Sequence, residues 1–126
     1  MALQISIRES GDITILDLRG RATIDGGGTG LLDNNLQELA AGGARQVLLN
    51  LADVTQLDSS AVSIIVKAYR SLRSHGGDLR LLRPSNHALE VFRALHLARL
   101  ILIFEDESQA LASFPSPGNY AKPLGS

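Results

Sequence analysis

The chain has 126 residues, 44% of them hydrophobic, and 12 Lys plus Arg nearly balance 13 Asp plus Glu for a formal net charge of −1. That length fits one domain with a sizeable core, and the lack of cysteine excludes disulfides, zinc–thiolate sites, iron–sulfur clusters and a catalytic Cys. Near-neutral charge argues against direct nucleic-acid binding, which needs a broad cationic face. No apolar run approaches the ~20 residues that span a bilayer, and Met1 to Ser10 forms no signal-peptide block, so the expectation is a cytoplasmic domain without membrane insertion. The balance conceals a pattern. Residues 1–66 carry four Arg against eight acids, residues 67–99 seven basic residues against Asp78 and Glu90, and residues 100–126 Lys122 against three acids, or −4, +5 and −2.

Leu3, Ile5 and Ile7 alternate with polar neighbours, and Ile13, Ile15 and Leu18 follow the turn signal Ser10-Gly11-Asp12, which predicts two antiparallel strands. After Asp25-Gly26-Gly27-Gly28-Thr29-Gly30, the helical spacing of Leu32, Leu36 and Leu39 predicts a short amphipathic helix ended by Gly42-Gly43. Val47 to Leu51 reads as a covered strand, with Asp53 to Leu57 as an exposed loop. From Ala61 to about Ser74, Val62, Ile65, Tyr69 and Leu72 share one helical face. Leu79 to Leu82 predicts a strand, Pro84-Ser85 leads into a helix with Leu89, Phe92 and Leu95 inward, Leu100 to Phe104 predicts a last strand, and Glu105 opens a helix through Phe114. The order β-β-α-β-α-β-α-β-α implies an α/β domain over residues 1–114, with a mixed, mostly parallel sheet and crossover helices. Residues 115–126 hold three of the four prolines and no apolar periodicity, and are expected to be a flexible tail.

Most candidate chemistry is weak. The glycine run lacks the Gly-Lys-Ser/Thr ending of a phosphate-binding P-loop, and Asp33 stands where a dinucleotide fingerprint needs its third glycine, so the run reads as a flexible connection. His75, His87 and His96 lack metal-pair spacing, and the serines lack the Gly-x-Ser-x-Gly context of a nucleophile elbow. Neither a catalytic residue, a metal nor a cofactor is expected. The triplet Glu105-Asp106-Glu107 complements a helix dipole.

Two features stand out. Asp58-Ser59-Ser60 opens the helix from Ala61. It reads as a doubled N-cap, a stabilising device worth ~1 kcal/mol, or as a phosphorylation switch, since a helix start receives phosphate through the same N–H groups. Spacing alone favours the cap. The second is the polar stripe Ser63, Lys67, Arg70 and Ser74, with Arg73 at its edge. It fits ordinary solvated surface or docking to an acidic partner surface.

The run from Val47 through Asp53-Val54 to Asp58-Ser59-Ser60-Ala61-Val62 resembles the signature of STAS domains, shared by sulphate transporters and bacterial anti-sigma factor antagonists. Gly76-Gly77-Asp78-Leu79-Arg80-Leu81 and Leu97 to Glu107 with Ala110-Leu111 resemble the family's later elements, so the likeness runs from Leu3 to Phe114. It implies a non-enzymatic, partner-switching regulator of transcription. In the antagonist type, the second Ser of the motif, here Ser60, with Ser59 as second choice, is phosphorylated by a serine-kinase anti-sigma factor. The unmodified form binds that kinase, and a serine phosphatase resets the phosphorylated form. Asp58, Ala61 and Asn50 are the expected supporting residues; Ser63, Lys67 and Arg70 are the expected partner contacts. Ala61 replaces the usual Gly, Asn50 a strand Asp, and His96 a Gly, so a left-handed backbone is expected at His96. The alternative is an unphosphorylated STAS subunit with a structural role in a transport complex or signalling scaffold.

Overall fold

The structure, a computed structural model, describes residues 2–115. All of the expected tail except Pro115 lies outside the described residues. Strands β1 (Gln4–Ser10), β2 (Ile13–Ala22), β3 (Gln46–Leu57), β4 (Asp78–Leu82) and β5 (Ile103–Phe104) form one sheet in sequence order. The β1–β2 pair is antiparallel and every later pair parallel. Helices α1 (Gly28–Ala41), α2 (Ser59–Ser74) and α3 (Asn86–Ala94) make the crossovers, and α4 (Glu107–Ser113) follows β5.

Alternation along the strands divides the core in two. Leu16, Leu18, Val47, Leu49, Leu51, Leu79 and Leu81 face α1, α2 and α3, meeting Leu32, Leu36, Val62, Ile65, Leu72 and Phe92. Right-handed crossovers between successive neighbours place all three helices on that one face. Ile13, Ile15, Leu48 and Leu82 face the other way, against Ala110 and Phe114 at the end of α4. Removal from water of a side chain such as Leu49, Ile65 or Phe92 stabilises by about 1.5–3 kcal/mol each.

The sheet departs from expectation at three places. Asp53 to Leu57 is a continuation of β3 along the second half of β2, pairing Arg19 with Asp53 and Ala22 with Leu57. Its alternation was masked because Asp53, Thr55 and Gln56 are exposed while only Val54 and Leu57 turn inward. The last strand shrinks to Ile103–Phe104, since Leu100 closes the 3-10 turn Leu97–Arg99 in a helical conformation and the Leu100 and Ile101 N–H groups both donate back to Leu97 carbonyl oxygen. Leu95 points outward: α3 stops at Ala94 and Leu95 is its C-cap. His96, directly after it, has φ 59° and ψ 24°, the expected left-handed conformation.

Candidate functional site

Both β2 and β3 end at one rim of the sheet, and the starts of α1 and α2 meet there. Asp58 caps α2: its backbone is extended, and its Oδ1 accepts from Ala61 N–H at 3.1 Å. The same carboxylate holds the chain leaving β2, with Ile24 N–H donating to Oδ2 at 2.9 Å. Ser60 Oγ donates a third bond to Asp58 Oδ1. Burial disfavours a charge on Asp58, but the bonds from the Ser60 hydroxyl and the Ile24, Ala61 and Ser60 N–H groups outweigh it and hold the carboxyl below its ordinary pKa.

The start of α1 is drawn to this point by close backbone approach. Gly28 and Thr29 N–H both donate to Thr23 carbonyl oxygen, at 3.1 and 3.3 Å. A Cβ on Gly28 would lie 2.3 Å from the Arg21 carbonyl oxygen, so only glycine fits. The glycine run, expected only as a flexible connection, therefore sets a tight contact. It delivers the Thr29 side chain, 7% exposed, to within 2.8 Å of Ser60 Oγ. Sequence reasoning passed over Thr29 because nothing local links a hydroxyl in one helix to a serine 31 positions later; only the crossover brings them together.

The other expected residues separate into groups. Ser59 is exposed at the first position of α2, and its carbonyl accepts from Ser63 Oγ at 3.0 Å. Ala61 is fully buried beneath Ser60 in the core. Asn50 contacts neither serine through a hydrogen bond; its Nδ2 donates to Asp17 Oδ1 at 2.8 Å. Asp17 in turn pairs with Arg8 at 2.7 Å, and Arg8 also grips Glu107 at the start of α4. This cluster lies on the α4 face, on the same side of β2 and β3 as Ile15 and Leu48, because Asp17 and Asn50 sit two residues further along. Arg8 holds both carboxyls below their usual range, and Asn50 adds a bond to Asp17.

Lys67 pairs with Asp33 of α1 at 3.1 Å, so part of the expected docking stripe is spent between helices. Arg70 is exposed and forms no ion pair among the described residues. It rims a groove of about 390 Å³ with Ser63 and Lys67; Val62, Val66, Leu95 and Leu97 supply its apolar lining. Among the described residues, no cluster of three or more His, Cys, Asp or Glu is arranged to hold a metal, and no helix is long and apolar enough to cross a membrane.

The family model of the STAS domain matches residues 4–110. The chain belongs to the STAS domain family. Among STAS-related proteins, one from Thermotoga neapolitana, provisionally named as an anti-sigma factor antagonist homologue, is 33% identical over 69 residues, 55% of this chain and 61% of the relative. A Thermotoga maritima protein with a similar provisional name is 30% identical over the same shares. The matched region thus spans under two thirds of these relatives' length. Solved structures carry the same fold. A Thermotoga maritima protein, also provisionally named an anti-sigma factor antagonist, superposes with a TM-score of 0.82 at 24% identity, covering 87% of this STAS chain and 93% of that one. SpoIIAA, a Bacillus cell fate determinant, matches in its phosphorylated form with a TM-score of 0.68 at 20% identity, covering 88% and 97%. Its unphosphorylated form, described as an anti-sigma factor antagonist, matches at 0.74 and 19% identity, covering 86% and 93%.

Proposed function

We propose that this STAS domain is a non-enzymatic anti-sigma factor antagonist in the bacterial cytoplasm, switched by phosphorylation of Ser60. Unmodified, it binds a serine-kinase anti-sigma factor; that kinase phosphorylates Ser60 and is released, and a serine phosphatase restores the neutral form. The observation that carries this reading is the Ser60 hydroxyl at the start of α2, hydrogen-bonded to the Asp58 carboxylate. A plain cap uses only the residue before the helix; here the capping carboxylate also holds the proton of the neighbouring hydroxyl. The names of the curated relatives and the two phosphorylation states recorded for SpoIIAA support the same role.

The physical basis of release is charge. A phosphate on Ser60 adds about −1.5 to −2 charges within reach of Asp58. It removes the proton that bonds the carboxylate and sets two anions side by side, so a partner surface fitted to a neutral hydroxyl meets repulsion and bulk. Ser59, more exposed, is the second choice of acceptor.

The groove rimmed by Ser63, Lys67 and Arg70 begins one turn after Ser60 and supplies a contact face with cationic edges and an apolar floor. Arg70→Glu is expected to weaken kinase binding about tenfold, measured by isothermal titration, without changing the fold, because Arg70 is exposed.

The test of the site is incubation with ATP and a purified serine-kinase anti-sigma factor that binds the unmodified chain, followed by mapping of the modified residue. One phosphate on Ser60 is expected. No phosphate on Ser60, Ser59 or Thr55 would remove the switch, and a Ser60→Asp variant that binds the kinase unchanged would favour a constitutive structural subunit.

A further inference from the structure

Ser60 has a single hydroxyl proton, and an ionised Asp58 can only accept. Because Ser60 Oγ gives that proton to Asp58, the 2.8 Å contact with Thr29 Oγ1 must have Thr29 as donor. Thr29 makes no other side-chain hydrogen bond among the described residues. Its backbone is fixed independently by the Thr29 N–H bond to Thr23 carbonyl oxygen and by the close fit of Gly28. A directed chain results, Thr29 to Ser60 to Asp58, in which the Ser60 oxygen is held from both sides.

We propose that Thr29 is a positioning residue for phosphoryl transfer to Ser60: its hydroxyl fixes the serine rotamer that aims the Ser60 proton at Asp58. This rests on Ser60 being the phosphoacceptor. In the transfer, Ser60 Oγ attacks the γ-phosphorus of the kinase-bound nucleoside triphosphate. The Oγ–P bond forms as the bond from that phosphorus to the β-phosphate oxygen breaks, and the nucleoside diphosphate departs. The Ser60 proton leaves along the bond to Asp58 and passes to solvent. With Thr29 in place the nucleophile needs no rotamer search before attack, an advantage that grows as the reacting geometry tightens.

Removal of the donor at nearly constant shape isolates this role. Thr29→Val is expected to lower kcat for Ser60 phosphorylation about tenfold while leaving KM for the STAS chain unchanged. Thr29→Ser keeps the hydroxyl and is expected to restore kcat to within about twofold. Thr29→Ala provides the same comparison if valine distorts the helix start. Side-chain coupling constants of Ser60, read by NMR without any kinase, should show one χ1 rotamer in the parent chain and in Thr29→Ser, and averaging in Thr29→Val. Unchanged kcat in both Thr29→Val and Thr29→Ala, or no rescue by serine, would overturn the inference while leaving Ser60 as acceptor. A parent chain that gains no phosphate on Ser60 while its coupling constants behave as expected would instead overturn the reading of the site, and the positioning role with it.

Discussion

Two helices of this domain start with the same device and use it differently. Asp106 caps α4 much as Asp58 caps α2: each backbone is extended, and each carboxylate accepts from the N–H three residues on, Gln109 at 3.2 Å and Ala61 at 3.1 Å. Asp106 is exposed, and that single bond is its only side-chain hydrogen bond among the described residues. Asp58 also holds Ile24 N–H from the β2 end and the Ser60 hydroxyl, which in turn meets Thr29 from α1. The α4 start is held to the sheet by charge, through Glu107, Arg8 and Asp17. The α2 start is held by neutral hydroxyl and N–H donors around one carboxylate, with no cation in the cluster, among the described residues, to offset a second anion such as a phosphate. Capping residues alone do not separate the simple start of α4 from the start of α2 proposed as a switch; their tertiary partners differ.

The sharpest way to break this comparison is to remove both caps. Asp58→Ala should destabilise the domain by about 2–3 kcal/mol, since it leaves N–H groups from two segments and a part-buried hydroxyl without their acceptor. Asp106→Ala should cost only about 0.5–1 kcal/mol. Urea denaturation of the two variants tests the difference, and equal losses would mean that the extra bonds of Asp58 contribute nothing.

Acid sharpens it next. A carboxyl whose pKa is lowered in the folded state contributes stability that is present above its unfolded value, about 3.9 for Asp, and is lost as the pH falls through the folded one. The bonds from Ser60, Ile24 and Ala61 put Asp58 in this class despite its partial burial. Urea midpoints measured from pH 7 to pH 2 should therefore fall less steeply below about pH 4 in Asp58→Asn than in the parent chain. A parallel acid limb in the two proteins would contradict the bonding described for Asp58.

The smallest effect belongs to the charged tether. Arg8 and both of its partners are substantially solvent-exposed, so Arg8→Met should cost less than about 1 kcal/mol after allowance for solvent screening. That loss should shrink further in about 1 M salt, where screening is strong. The loss in Asp58→Ala should persist at the same salt, because it arises from hydrogen bonds to backbone and hydroxyl groups. Equal salt dependence of the two losses would remove the distinction between the two helix starts.

Much of this domain was legible in its residues. Period-two and helical spacings gave the element order, and Asp58-Ser59-Ser60 marked the start of α2. His96 was readable because its place in the family pattern calls for a left-handed residue, and it has φ 59°. What escaped depends on tertiary pairing. The second half of β3 reads as a polar loop until β2 lies beside it, because only Val54 and Leu57 turn inward. Asn50 stands in the family's Asp position close to the signature serines in sequence, yet strand alternation turns it to the opposite face, toward Asp17. Thr29 belongs to the site only because Gly28 lets α1 start against the β2 end.

The most direct test of the proposed switch is isothermal titration of a serine-kinase anti-sigma factor with the unmodified chain and with the same chain carrying one phosphate on Ser60. The charge placed beside Asp58 predicts tight binding of the unmodified form and at least about 100-fold weaker binding of the phosphorylated one. Equal affinities for the two forms would contradict it.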